Sequence, residues 1–128
     1  MPRRVLLLMS QLPQDPSSGA PRSVKNIGEL LASRGFEVEC VATTATEQQS
    51  RGDVIDILLR AGSVRPEWLS DESRREGGII RFEERGVRHH LLNTGEAGIL
   101  QWNDELDRAF NAMLEERLTA FKPDVLFT

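Results

Sequence analysis

Arg4-Val5-Leu6-Leu7-Leu8-Met9 opens the chain with an apolar run that shows no alternation. Strands of a parallel sheet, covered on both faces, read this way. Val5 to Met9 is too short for the apolar region of a secretory signal, and no small-residue cleavage site follows it. The run is therefore read as a buried first strand. Ser10 to Pro21 comes next, with Pro13, Pro16, Gly19 and Pro21 among Ser, Gln and Asp, a loop long for a strand-to-helix connection.

Val24, Ile27 and Leu31 then fall on one stripe, with Gly28 and Leu30 beside it, which predicts a helix. Pro21 suits its first turn, and Ser33-Arg34-Gly35 ends it. Phe36 to Ala42 predicts a second strand, and Thr43 to Gly52 a polar loop. Asp53 to Ala61 carries Val54, Ile55, Leu58 and Leu59 at helical spacing, with Gly62 placed to stop the helix. Ser63 to Gly78 is polar and shows no periodicity. Ile79–Glu84 and Val87–Asn93 flank Arg85-Gly86, the pattern of a β-hairpin. Asn103 is a good N-cap for a helix whose apolar stripe runs Leu106, Ala109, Phe110, Met113, Leu114, Leu118 and Phe121. Lys122-Pro123-Asp124 breaks that helix before a last apolar strand, Val125 to Thr128.

Strands alternating with helices predict an α/β fold: a Rossmann-like three-layer sandwich with a mainly parallel sheet plus the hairpin. The chain stops at the carboxyl end of its last strand, where parallel sheets carry their ligand loops. Residues 1–128 are accordingly expected to be an incomplete, truncated domain. Its 128 residues include 20 acidic and 16 basic side chains, a formal charge of −4. A net acidic chain gains little from a phosphate backbone, so nucleic acid is not an expected partner. The single cysteine, Cys40, excludes an internal disulfide and fits a reducing, cytoplasmic setting. No apolar stretch approaches the ~20 residues that span a bilayer.

The loop after the first strand is the candidate site. A helix N-terminus there favours an anion, and Ser17-Ser18-Gly19-Ala20 supplies small side chains around a glycine. Neither the dinucleotide glycine pattern nor the P-loop pattern is present, which disfavours a redox cofactor or a P-loop nucleotide. On the residues alone, a phosphate loop and a plain surface turn weigh about equally. The other candidates read as structural. His89 and His90 are adjacent on a strand, point to opposite faces and are unsuited to one metal; each is expected near the surface with a partner. Asp53 and Asp56, and Asp104, Glu105 and Asp107, read as helix-start charge. Glu83-Glu84-Arg85 reads as a charged hairpin end, Cys40 as a small buried apolar residue, and Trp68 and Trp102 as packing anchors.

Arg4 to Leu8 with its Pro-bearing loop, then Ser18-Gly19-Ala20-Pro21-Arg22 through Leu31-Ala32-Ser33-Arg34-Gly35-Phe36-Glu37-Val38, resembles the N-terminus of a GT-B-fold group 1 glycosyltransferase. Phe121-Lys122-Pro123-Asp124-Val125-Leu126-Phe127-Thr128 is similar to the Lys-Pro-Asp-Val start of a later strand in that family, which also carries such a hairpin. The two motifs lie about ninety residues apart, and together they tell more than either alone.

The resemblance implies a partial N-terminal, acceptor-side domain of a two-domain enzyme. That enzyme moves a sugar from a nucleotide-sugar donor to an acceptor hydroxyl on a glycan, lipid or small molecule. It also implies that Gly19 lies against the donor diphosphate, with Ser18 and Ala20 beside it and Arg22 as an anion or acceptor contact. Ser18 stands where the family usually has a first glycine, and Pro21 where an acid is common. The catalytic residues are not assigned, no metal or cofactor is expected, and the isolated piece is expected to be inactive. Peripheral membrane association of the full-length enzyme and a homodimer through an exposed sheet edge are the remaining partner expectations. The alternative from another class is a non-catalytic α/β ligand-binding or interaction module, flavodoxin-like or receiver-like. A receiver would need paired acids after the first strand, where Met9-Ser10-Gln11 has none. A flavodoxin would need its phosphate loop directly there, whereas Gly19 comes ten residues later.

Overall fold

The computed structural model describes residues 3–14, 19–46, 53–95 and 103–128. The first strand, β1 (Arg4–Leu8), lies in the sheet interior and pairs in parallel with β2 (Glu37–Thr43) on one side and β5 (Val125–Phe127) on the other. Two more strands, β3 (Ile79–Glu84) and β4 (Val87–Leu92), form an antiparallel hairpin, and β4 joins the far side of β2 in parallel. The five-stranded sheet has the order β3-β4-β2-β1-β5. Among the described strands only the β3–β4 pairing is antiparallel, so the sheet is mixed but mostly parallel.

Among the described residues, three α-helices complete the fold: α1 (Gly19–Ser33), α2 (Val54–Arg60) and α3 (Asp104–Phe121). Strand alternation sorts the core into two layers. Val5, Leu7, Val38, Cys40, Ala42, Val87 and Leu91 pack with α1 and α2 on one face. Leu6, Val41 and Leu92 meet Leu106, Met113 and Phe121 of α3 on the other. The arrangement is an α/β sheet covered on both faces, consistent with a Rossmann-like fold.

Local chemistry accounts for most element ends. Asp53 and Asn103 cap α2 and α3, their side chains accepting from the N–H groups of Ile55 and Leu106 at 2.8 Å each. Arg85 and Gly86 both have positive φ (50° and 84°), the conformation of a type I′ hairpin turn. Gly28 lets α1 sit low on the sheet, since a Cβ there would lie 2.6 Å from Leu7 Cδ1.

Two expectations need correction. Ile27 and Leu30 do not join the buried stripe of α1; they are 42% and 54% exposed, while Val24 and Leu31 pack on the core. Gly28 faces Leu7, Val38 and Val87 with Val24 and Leu31 beside it, which leaves Ile27 and Leu30 on the flanks of the helix. Trp68 is 48% exposed, beneath the Arg65 guanidinium at 5.6 Å, and is not a packing anchor. It sits in a 3₁₀ turn (Pro66–Trp68) within the segment that lacked periodicity. Trp102 lies outside the described residues. Among those residues, no helix is long and apolar enough to cross a membrane.

Candidate functional site

The strand order creates a switch point. From β1 the chain moves outward to β2 and β4, then α3 returns it to β5 on the opposite side of β1. Parallel sheets bind ligands at such a reversal, outside the carboxyl ends of their strands. The turn after β1 is pinned there by backbone and hydroxyl bonds. Met9 N–H donates to the Val41 carbonyl (3.0 Å) and Leu12 N–H to the Ala45 carbonyl (2.7 Å). Thr43 Oγ1 donates to the Ser10 carbonyl at 2.6 Å. Beyond β4, Thr44 and Thr94 share a hydroxyl hydrogen bond of 2.7 Å, and the Thr94 N–H donates to Thr44 Oγ1. Threonines at the ends of β2 and β4 thus replace the ladder where the strands stop.

Gly19, Ala20 and Arg22 of the candidate site all fall in the first turn of α1, and Gly19 and Ala20 are exposed. Ser18 lies outside the described residues. Among the described residues, its chain neighbours and own helix aside, no atom lies within 4 Å of where a Gly19 side chain would start. The first turn of α1 holds no acid, whereas α2 has Asp56 and α3 has Asp104, Glu105 and Asp107. The positive end of the α1 dipole is therefore not offset by first-turn carboxylates, and Arg22 adds charge of the same sign. A cleft of about 350 Å³ opens elsewhere, between Glu72–Gly78 and the start of α3. Its described lining includes Glu72, Glu76 and Glu105 beside Arg75, a net acidic set that repels a diphosphate.

Two buried polar clusters were not expected. Glu39, in the middle of β2, is fully buried on the α3 face. Arg117 of α3 grips it with Nε and Nη2, each 2.8 Å from a carboxylate oxygen. Arg88 Nη2 lies at 3.0 Å, its guanidinium also over the Phe121 ring at 5.4 Å. His90 Nε2 is 3.1 Å from Glu39 Oε1, though off the line that a hydrogen bond requires. Burial alone would raise the Glu39 pKa; the contacts with His90 and Arg117 outweigh it and hold the carboxyl at about 2. Fork-to-carboxylate geometry of this kind ties α3 to the central strand.

The second cluster lies on the opposite face, where His89 stacks on Phe82 (centroids 4.9 Å apart, planes 14° apart) beside Gln14 and Glu84. The two histidines thus point to opposite faces, but both are buried rather than near the surface. Glu84 is no plain hairpin end either: Lys25 of α1 lies 3.3 Å from it, and Lys25 also meets Glu29 at 2.6 Å. Burial tends to raise the Glu84 pKa, but Ser63, Lys25 and Gln14 together lower it. Cys40 is buried as expected, and burial pushes its thiol up to about 12, too high for a nucleophile near neutrality. Among the described residues, no group of three or more His, Cys, Asp or Glu side chains is arranged to hold a metal ion.

Comparison of the chain with models of protein families, with curated proteins and with solved structures finds no match.

Proposed function

We propose that the chain is the N-terminal, acceptor-side Rossmann-like part of a nucleotide-sugar-dependent glycosyltransferase of GT-B architecture. The observation that carries this reading is the start of α1. Gly19-Ala20-Pro21-Arg22 offers an open glycine, exposed backbone and an arginine, with no first-turn carboxylate, after the turn that leaves β1. The Arg-Gly-Phe-Glu-Val and Lys-Pro-Asp-Val motifs support it from sequence.

Sugar transfer breaks the bond between the anomeric carbon and the donor's diphosphate and makes one to the acceptor oxygen. The protein's part is to stabilise charge on the departing diphosphate and to hold the acceptor hydroxyl in line. In this reading the α1 N–H groups and Arg22 do the first, and the rim formed by the turns after β1, β2 and β4 does the second.

The test is donor-dependent release of nucleoside diphosphate by the full-length protein, measured across a panel of nucleotide sugars with and without added acceptors. Replacing Gly19 with tryptophan should lower kcat by roughly tenfold or more. Its melting temperature should not change, because no described residue crowds the position. Unchanged kinetics in that variant would remove the loop from the mechanism.

A further inference from the structure

No further inference is drawn: the strongest candidate, the apolar surface patch that Val125, Leu126 and Phe127 of β5 form along the edge of the sheet, is an unpartnered face, and nothing in the structure shows what covers it.

Discussion

Glu39 is the residue at which charge, burial and architecture meet. A carboxylate in the middle of a parallel strand is costly unless it is paired, and here Arg117 grips it in a fork while Arg88 and His90 close round it. Its removal should therefore cost more than any surface charge. Glu39→Gln is expected to lower stability by roughly 3 kcal/mol, at the low end for a broken buried pair because Arg117 and Arg88 keep some solvent. Urea unfolding with an unchanged slope would measure this, and a loss below about 1 kcal/mol would show that the fork does not hold α3. Nothing in the local pattern marks Glu39 as special. It sits in Phe36-Glu37-Val38-Glu39-Cys40, where alternation makes Glu37 and Glu39 look alike. Only α3, reaching back from Arg117, separates the buried acid from the half-exposed one. Residues whose role is local were legible: Asn103 as a cap, Asp53 as helix-start charge, Cys40 as buried, His89 and His90 on opposite faces. Gln14, Lys25 and Glu84, brought together across the fold, were not.

At the scale of elements, periodicity located every strand and α-helix to within a residue or two, because the apolar runs of β1 and β2 and the stripe of α3 are long enough to reveal their period. It failed between Ser63 and Gly78, where reciprocal bonds between Ser70 and Ser73 hold a turn that has no apolar period to show. The hairpin turn carries a testable cost. Arg85 adopts φ 50°, a region that asparagine tolerates better, and its ion pair with Glu29 is long, at 3.6 Å, with the arginine side chain largely in solvent. Arg85→Asn should stabilise the protein by up to about 1 kcal/mol, read as a rise in melting temperature. A fall would mean that the Glu29 contact outweighs the backbone preference.

For the whole molecule, the buried ionisable groups set the pH response. His89 is neutral when folded and titrates at about 4, against 6.5 when unfolded. The unfolded chain thus binds more protons between those values, and stability falls as pH drops from 6.5 toward 4. Glu39 is ionised when folded down to about 2, against 4.5 unfolded, so its contribution is held above 4.5 and lost as pH falls through 2. Glu84, also lowered, acts in the same sense. Denaturant midpoints should decline steadily from neutral pH into acid, in two overlapping stages. In His89→Phe the first stage, below 6.5, should shrink; a midpoint that rises on acidification would contradict both assignments. The sheet also leaves β5 uncovered, with Val125, Leu126 and Phe127 at 44%, 50% and 40% exposure. On α1 and α3, Ile27, Leu30 and Leu118 are exposed as well.

The proposal that a donor's diphosphate meets the start of α1 has a direct measurement. Titrating nitrogen-15-labelled chain with pyrophosphate and with nucleotide sugars should move the amide signals of Gly19, Ala20 and Arg22, in the first turn of α1. Gly77 and Gly78, beside the acidic cleft, should stay in place. Shifts at Gly77 and Gly78 with Gly19 unmoved, or no shift at the start of α1 at saturating ligand, would contradict the assignment of that helix as the anion-facing end of the site.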